Sequence, residues 1–351
     1  MLQYTLKLLG YGFLVLLGVT LVVFFLFNVL PVNSARLTLG QRADVASVEA
    51  IEKELGLNLP MHQRLVKYIG EVSPLWIYEV NEENKARYDF TVLIPLGNSA
   101  LTLKTPYLGR SYQTRRLVSE ILWEKIPPTF ILATAAMILA TILGVLLGIF
   151  AAIYHNKWPD NLAVGLSVFG ISQPSYFSGI LMALLFGFIW HDYTGLNHVG
   201  ALFELNDYGD EVIMWHNLIL PTIALGIRPI AIITQLTRSS MLDVLSQDYI
   251  RTAKSKGLSY NKVLFKHALR NAMNPVVTSI SGWYASLIAG AYFVEIIFDF
   301  KGLGYETVKS LLNFDFPVAM GSVLFTATIF VIINIAVDIV YGFIDPRISV
   351  K

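Results

Sequence analysis

Six apolar stretches, each long enough to cross a bilayer, constrain the fold of this chain more than any other feature. An α-helix rises about 1.5 Å per residue, so about 20 apolar residues cross the hydrocarbon core of a membrane. Of the 351 residues only 15% are charged and 55% are hydrophobic, which is too apolar for an ordinary soluble domain. We therefore expect an all-α polytopic membrane protein with six transmembrane helices. The stretches are approximately Leu8–Leu30, Thr129–Tyr154, Leu162–Trp190, Leu218–Leu236, Val276–Phe298 and Val318–Ile344.

The first apolar stretch predicts a transmembrane helix, over residues 1–30, that is not cleaved. Lys7 precedes it, as in a signal peptide, but its apolar core is longer than a signal peptide's and no Ala-x-Ala motif follows. The net charge is +1 and the cations lie in loops, so we expect membrane lipid but no nucleic acid as a partner. The absence of cysteine excludes thiolate chemistry, disulfides and cysteine-bound metal.

The charges of the loops predict the orientation of the chain. The basic loop, Ser239–Pro275, carries six cations against Asp243 and Asp248, and the short loop His155–Asp160 carries one lysine. The segment His191–Asn217 instead carries five acidic residues and no Lys or Arg. Because cytoplasmic loops of membrane proteins are enriched in Lys and Arg, we expect both termini and the basic loop in the cytoplasm, and the acidic loop outside.

Within the basic loop, Tyr249–Pro275 is polar and contains no acidic residue. Helical spacing places Ile250, Ala253 and Leu258 near one side, and Gly257 then breaks the pattern. We predict two short helices joined at a glycine elbow, the second of which runs to Pro275. The apolar residues of this second helix are Val263, Leu264 and Ala268.

The order of residues in this loop resembles the EAA loop of bacterial ABC-importer permeases. Arg251-Thr252-Ala253 stands where that pattern has Glu-Ala-Ala, and Gly257 follows at the distance of the pattern. The Arg-Thr-Ala form is similar to the permeases of the dipeptide, oligopeptide and nickel family. A late Asn-Ala-x-x-Pro string adds to this resemblance, and consists of Asn271, Ala272 and Pro275.

The resemblance implies that the loop contains a coupling helix, which docks in a groove of a cytoplasmic ATPase subunit and passes on its closure. A loop between membrane helices is often basic in any case, so charge alone would leave this interpretation open. The ordered string of small residues favours the coupling role. The residues expected to carry it are Arg251, Thr252, Ala253, Lys254, Lys256, Gly257, Leu258, His267 and Arg270.

Matches to the same family extend over nearly the whole chain and imply the type I ABC-importer permease fold. Gly226-Ile227-Arg228-Pro229 is similar to a Gly-x-Arg-Pro string of these permeases, whereas Lys301 replaces the proline that usually precedes Gly-Leu-Gly. Matches before the second apolar stretch are Leu55-Gly56-Leu57, Pro60, Leu108-Gly109 and Ser111-Tyr112. Matches in the C-terminal third are Glu295, Phe298, Gly302-Leu303-Gly304, Asp315, Pro317, Gly321, Asn334, Asp338, Tyr341 and Asp345-Pro346-Arg347.

Residues 31–128 form one large segment that we expect outside the cytoplasm, ahead of a permease core of five helices over residues 129–351. Pro60 is expected to open a helix in this segment. Residues 74–106 depart from the family, and their β-rich strings predict an inserted β-hairpin unit. It is either an added contact for a substrate-binding partner or a decoration without a role in transport. The strings are Trp76-Ile77-Tyr78, Tyr88–Ile94 and Ala100–Leu103.

A few polar residues fall within the apolar stretches, where a charge costs a few kcal/mol unless it faces protein or water. They are candidates for lining a transport pathway, although an ion pair or hydrogen bond that only holds the bundle together would leave the same pattern. Pro174 interrupts the third stretch and predicts a kink there. The polar candidates are Arg228, Glu295, Asn334 and Asp338.

The sequence contains no recognisable catalytic or metal site. There is no Gly-x4-Gly-Lys-Ser/Thr string, so we expect this chain to bind no cofactor and its partner subunits to use ATP. The strings His-Glu-x-x-His and Gly-x-Ser-x-Gly are absent as well. These absences argue against a membrane-embedded enzyme.

The resemblance implies a permease subunit of an importer in the bacterial inner membrane, with di- or oligopeptides as the expected substrates and nickel chelates left open. It also implies a second homologous permease, more often a different chain, together with two ATP-binding subunits and an extracytoplasmic solute-binding protein. The rival hypothesis is a self-contained ion-coupled secondary transporter with Arg228, Glu295 and Asp338 as an ion relay. That rival would predict an internal repeat, which we do not find in the sequence.

Overall fold

The computed structural model describes residues 2–29 and 59–344, with side chains over residues 5–27 and 59–339. The family matches at Leu55-Gly56-Leu57 and Asp345-Pro346-Arg347 lie outside the described residues. In the described ranges the chain is mostly helical, with five short strands. The early helices are α1 (Leu2–Val29), α2 (Met61–Val72), α3 (Glu82–Tyr88), α4 (Val118–Ile153), α5 (Trp158–Ser172), α6 (Ser175–Met182) and α7 (His191–Thr194). The later helices are α8 (His216–Leu245), α9 (Asp248–Ser255), α10 (Tyr260–Lys262), α11 (Arg270–Gly290), α12 (Tyr292–Ile297), α13 (Leu303–Leu312) and α14 (Phe316–Ile344).

Four of the described helices, α1, α4, α8 and α14, are long and apolar enough to cross a membrane. The bent pair formed by α5 and the segment Ser175–Ile189 makes a fifth if it counts as one span. Helix α11 occupies the predicted fifth stretch but does not belong to this set, because polar side chains such as Asn274, Thr278 and Ser286 interrupt its apolar surface. The six-span count therefore stays a prediction.

The kink predicted at Pro174 is a full break in the structure. Helix α5 ends at Ser172, α6 begins at Ser175, and the chain bends by 105° between α5 and the segment Ser175–Ile189. Proline has no amide hydrogen and disfavours helical backbone in the residue before it, so Gln173 is extended and the chain turns. Beyond α6 the helix widens into a π-helical segment, Ala183–Ile189.

The chain forms two compact units, the first of which comprises residues 1–9, 125–305 and 329–351. In this unit the small residues of α4 allow α8 to approach closely, as expected where membrane helices pack on small side chains. A Cβ added at Gly144 would lie 2.8 Å from Ile233, and one at Gly148 would lie 2.5 Å from Thr237. The unit also contains a two-stranded sheet in the acidic loop, β4 (Phe203–Leu205) with β5 (Glu211–Ile213), which the sequence did not predict.

The second unit comprises residues 10–124 and 306–328. It contains the sheet unit, which we define as residues 61–107. Helix α2 starts after Pro60, as expected, and packs on a three-stranded antiparallel sheet of order β1-β3-β2. Strands β2 and β3 form a hairpin that turns at Gly97, where φ is +70°. The strands are β1 (Leu75–Glu79), β2 (Thr91–Leu96) and β3 (Ser99–Leu103).

One detail of the predicted strands is wrong, because Tyr88 ends helix α3 instead of opening a strand. The Asn81 side chain caps α3 by accepting a hydrogen bond from the Asn84 amide at 2.7 Å. Asp89 then adopts left-handed backbone with φ of +44°, and strand β2 begins at Thr91. A side-chain cap overrides the β propensity of the tyrosine.

The interior of the sheet unit is polar and aromatic. The Lys104 ammonium is buried, donates a hydrogen bond to the Glu71 carbonyl, and lies 5.5 Å from the ring centroid of Tyr88. The Glu71 carboxylate accepts hydrogen bonds from Tyr88 at 2.9 Å and Arg87 at 3.3 Å. Burial lowers the pKa of Lys104 to about 8, although the nearby Glu71 carboxylate acts in the opposite direction.

Candidate functional site

The backbone of the basic loop has the predicted elbow. Helix α9 ends at Ser255, and Gly257 turns the chain with φ of +74° before α10 begins at Tyr260. The Gly257 amide donates to the Lys254 carbonyl at 3.0 Å and closes the end of α9. A Cβ at Gly257 would meet nothing within 4 Å, so the left-handed backbone, and not crowding, is what requires glycine here.

The inner face of the loop is apolar and packs on the ends of α4 and α8. It joins both arms of the elbow into one buried cluster, which confirms the two apolar sets predicted from helical spacing. Leu258, at the elbow, is partly buried against this cluster. The loop is therefore packed directly against the ends of these two long helices. The buried loop residues are Ile250, Ala253, Val263, Leu264, Ala268 and Ala272, and the helix residues are Ile149, Ala152 and Met241.

The outer face of the loop is cationic and exposed. Of the nine residues predicted to couple, Ala253 instead lies in the buried cluster, and Leu258 and His267 are half-buried. Arg251 forms an ion pair with Asp248 at 3.2 Å, but both side chains are solvated, so the pair contributes little to stability. The remaining predicted residues are exposed, namely Arg251, Thr252, Lys254, Lys256, Gly257 and Arg270.

Three exposed aromatic residues on the loop are a feature that sequence reasoning missed. Tyr249, Tyr260 and Phe265 expose 44%, 54% and 55% of their surface. Exposed aromatic residues are enriched where proteins bind partners. The Tyr249 hydroxyl also accepts a hydrogen bond from Asn271 at 3.0 Å and ties the two arms together. The sequence signal for these residues was their helical phase, because they lie next to the buried apolar residues in the chain but on a different side of the helix.

The second arm does not end at Pro275, contrary to prediction. It passes through a π-helical segment, Val263–Leu269, directly into α11, which contains Pro275 in its second turn. The amide missing from proline would have bonded the carbonyl of Asn271, which is an exposed residue. The arm after the elbow and α11 therefore form one continuous helical segment over residues 260–290. π-Helical segments often mark functional sites.

A second tie fixes the helix that leads into the basic loop. Arg238, near the end of α8, forms a bidentate pair with Asp160 of α5, with Nη2 2.8 Å from Oδ2. Asp160 is buried and also accepts the Asn156 amide at 2.9 Å and contacts His155 Nδ1 at 3.1 Å. A carboxylate in an otherwise basic short loop was the only sequence signal for this tie.

Comparison with known proteins identifies the family. Residues 144–350 match the family described as the binding-protein-dependent transport system inner membrane component, and residues 1–78 match the N-terminal part of such membrane components. The chain belongs to this family of importer permeases. Over the full length of both chains, the permease is 36% identical to the glutathione transport system permease protein GsiC of Salmonella typhimurium (strain LT2). It is 34% identical to the protein of the same name from Escherichia coli (strain K12), again over both full lengths.

Among solved structures, a crystal structure of an amino acid ABC transporter with histidines matches 65% of the permease and 94% of its own chain. The TM-score is 0.44 and the sequence identity is 14%. Family membership confirms the resemblance to ABC-importer permeases of the dipeptide and oligopeptide family. The family consists of inner membrane components. The ATPase of such an importer is a partner subunit, so the permease is not itself an enzyme.

Glu295 of the permease is fully buried in the first unit. Its carboxylate accepts hydrogen bonds from the Thr129 hydroxyl at 2.6 Å and the Tyr305 amide at 2.9 Å. A Cβ at Gly302 would lie 2.3 Å from the Thr129 hydroxyl oxygen, so only glycine fits beside this pair. Glu295 thereby holds the first turn of α13, which is the arrangement expected of a residue that holds the bundle together.

Two distant family motifs of the permease meet in the second unit. Asp315 is buried and accepts the Ser111 hydroxyl at 2.5 Å and the Tyr112 amide at 2.9 Å. A Cβ at Gly321 would lie 2.5 Å from Val118, so α14 can approach α4 closely only with glycine there. The match at Ser111-Tyr112 is therefore explained by packing against the start of α14.

Of the remaining polar candidates, Asn334 and Asp338 lie one turn apart on α14, and Arg228 lies on α8. Arg228 is exposed near the middle of α8, with its guanidinium carbon 5.6 Å from the ring centroid of Trp283. Asn334 donates to the Phe330 carbonyl at 2.8 Å within its own helix, and Asp338 is half-buried. Among the described residues, no ion pair joins Arg228 to Glu295 or Asp338, and no cluster of metal-binding side chains occurs.

Proposed function

We propose that the protein is one of two permease subunits of an ATP-driven importer, each of six spans, which together form the pathway for a peptide-like solute. The single observation that carries the proposal is the basic loop, whose cationic and aromatic outer face is fixed to α4 and α8 through a buried apolar cluster. Such a surface suits a protein partner, and the buried face provides a stiff connection to the membrane helices.

In this proposal two ATPase subunits dock on the outer face of the basic loops of a permease heterodimer. Closure of the ATPases moves each loop, and the shared cluster moves the ends of α4 and α8 with it. The Arg238–Asp160 pair adds α5 to the moving group. The permease is thereby a two-state element whose equilibrium is biased by contacts with its partners.

The orientation that this mechanism requires places the basic loop and both termini in the cytoplasm. The concentration of lysine and arginine in that loop and of acidic residues in residues 191–217 supports this orientation. A solute-binding protein would then deliver the solute on the opposite side of the membrane.

For the substrate we propose a small peptide. The relatives that cover the full length are named as glutathione transport permeases, and glutathione is a tripeptide. The resemblance of the loop and of the Gly-x-Arg-Pro string to the peptide permeases supports the same class. In this proposal the solute-binding protein determines which peptides are bound most tightly.

We further propose that the sheet unit contacts the solute-binding protein. The pairing register places Leu75, Ile77, Ile94, Leu96 and Leu103 on the face of the sheet opposite α2, and each is about half exposed. A patch on the order of a few hundred Å² is smaller than the roughly 800 Å² per partner of a stable complex, so it suits a partner that leaves after each cycle.

Charge favours a protein over lipid as the occupant of this face. Glu79 lies at its edge, and Glu82 and Glu83 follow in the first turn of α3, so the charges next to the end of β1 are acidic, whereas Lys85 and Arg87 lie in the last turn of α3. An acidic rim is repelled by anionic lipid head groups and is complementary to lysine or arginine around an apolar patch of a protein. The alternative left by the sequence, a decoration without a role in transport, predicts that charges on this face have no effect.

The orientation and the docking surface can be tested with single cysteines, because the natural chain has none. We expect Phe265→Cys to react with a membrane-impermeant maleimide only in inside-out vesicles, and to crosslink to the ATPase of the assembled importer. Tyr208→Cys, on the acidic loop and 91% exposed, is the matched control and should react only from the other side. The reverse labelling pattern would refute the proposed function.

A further inference from the structure

Arg228 stands near the centre of an apolar span. It follows Leu218, the start of the fourth apolar stretch, by ten residues, which corresponds to about 15 Å of helix. This is roughly half the thickness of a bilayer core, so the guanidinium lies at about mid-depth if α8 spans the membrane. An arginine keeps its charge in proteins, and its burial in lipid is strongly unfavourable.

The described part of the protein does not neutralise this charge. No ion pair of the described residues includes Arg228, and its side chain is exposed. The fully buried carboxylate of Glu295 is occupied by the Thr129 hydroxyl and the Tyr305 amide. Because an exposed cation at this depth cannot face hydrocarbon, it must face water, a partner subunit or a bound solute.

Trp283 of α11 orients the guanidinium. Its ring centroid lies 5.6 Å from the guanidinium carbon, within the range of a cation–π contact. A ring that contacts the guanidinium holds the side chain in place while leaving N–H groups available to an acceptor. A guanidinium presents a planar fork that matches the two oxygens of a carboxylate.

The surface beside Trp283 is open and uncharged. Helix α11 carries small residues at intervals of four, Thr278, Gly282 and Ser286, and all three are exposed. A Cβ at Gly282 would meet nothing within 4 Å, so this side of α11 is open. These residues offer no competing carboxylate.

We propose that Arg228, oriented by Trp283, binds a carboxylate of the transported solute at mid-membrane. This inference rests on the proposed function, since it assigns to the peptide pathway a recognition point in the permease itself. Every unmodified peptide ends in a carboxylate, so one guanidinium can accept peptides of many sequences. A carboxylate of the second permease has the same chemistry, and the experiment below separates the two sources.

The test uses the complete importer in proteoliposomes, with its ATPases and its solute-binding protein saturated with ligand. The probes are trialanine and triglycine, each with a free or an amidated C-terminal carboxyl group, because glutathione amide would keep the second carboxylate, on its γ-glutamyl residue. We expect Arg228→Gln to reduce uptake of the free acids at least about tenfold and of the amides less than about twofold, since only the former lose an ionic contact. Trp283→Leu should show the same selectivity with a smaller effect.

Two further variants control for folding and for charge. Arg228→Lys keeps the charge but not the fork, so we expect an intermediate loss for the free acids. If Arg228→Gln does not assemble, as judged by co-purification of the ATPases, the comparison of free acid with amide is made on Arg228→Lys. Arg115→Gln, an exposed arginine of the second unit, should leave uptake of every probe unchanged.

The outcomes separate this inference from the proposed function. Equal losses for acids and amides would assign Arg228 to the second permease or to folding, and would overturn the inference alone. If Arg228→Gln takes up every probe at the wild-type rate, the inference is overturned in the same way. A wild-type importer that moves neither peptide in the presence of ATP and the solute-binding protein would overturn the proposed function and the inference with it.

Discussion

The basic loop and the sheet unit distribute polarity in opposite ways. The loop buries apolar residues such as Ile250 and Leu264 and exposes cations, whereas the sheet unit buries Lys104, keeps Glu71 half-buried, and exposes leucine and isoleucine. A solvated cationic surface gains affinity through steering and complementary charge, while an exposed apolar face gains it by removal of its own surface from water. The two regions are therefore suited to partners of different chemistry.

The difference also extends to how each region is stabilised. The core of the loop is apolar, so its stability depends on packing and backbone geometry. The interior of the sheet unit depends on hydrogen bonds to buried charges and therefore responds to pH. The following substitutions test this contrast, from the largest expected effect to the smallest.

The largest effect is expected at the elbow. Gly257→Val forces a β-branched residue into left-handed backbone, which costs about 1–2 kcal/mol, so we expect uptake to fall by roughly tenfold or more. Folding should persist, because a Cβ at this position meets nothing within 4 Å. The measurement is ATP-driven uptake together with the ATP hydrolysis of the assembled importer.

A glycine outside the loop provides the matched control for this substitution. Gly195, with φ of +65° and equally open surroundings, carries the same backbone constraint in the acidic loop. Gly195→Val should therefore lose a similar amount of stability and retain coupling between ATP hydrolysis and uptake. Unchanged uptake in Gly257→Val would remove the elbow from the mechanism.

An intermediate effect is expected on the apolar face of the sheet unit. Ile77→Asp places a charge at the centre of the proposed contact, and we expect the affinity for the solute-binding protein to fall about fivefold, equivalent to about 1 kcal/mol. Affinity would be measured by titration of the solute-binding protein into the reconstituted importer. Val66→Asp on α2, where valine is 55% exposed, is the control and should have no effect. If both variants bind the solute-binding protein with equal affinity, the sheet unit is a decoration without a role in transport.

A smaller effect is expected for the charges of the basic loop. Lys254 and Lys256 are exposed, and each surface ion pair contributes little, so Lys254→Gln with Lys256→Gln should weaken ATPase binding by roughly twofold. The difference should vanish at high salt, where exposed charges are screened. Lys85→Gln on the sheet unit should not change ATPase binding at any salt concentration. A loss that is insensitive to salt would argue against electrostatic docking.

The smallest effect on transport is expected from the pH dependence of the sheet unit, which acts on the stability of that unit alone. The pKa of Lys104 is lowered from 10.5 to about 8 by burial, so above pH 8 the unfolded unit binds more protons than the folded one. Its stability should therefore rise as the pH increases from about 8 to 9.5, below the range in which tyrosine ionises. Hydrogen exchange of residues 99–107, corrected for intrinsic rates, measures this change. Lys104→Met should abolish the rise, and a rise that survives it would assign the effect to another group.

The sequence by itself determined the features that depend on local periodicity. The apolar stretches, the elbow at Gly257 and the buried set of the basic loop follow from helical spacing and from the backbone preference of glycine. The helix after Pro60 is of the same kind. In each case the signal and the structure lie within a few residues of one another.

Only the tertiary structure decided which distant residues meet. Ser111 and Asp315 are 204 residues apart in sequence, Thr129 and Glu295 are 166 apart, and Arg238 and Asp160 are 78 apart. Spacing in the sequence carries no information on such pairs, because they form only when separate helices pack. The uninterrupted helix through Pro275 and the exposed Arg228 were decided in the same way, by the surroundings of those residues and not by their neighbours in the chain.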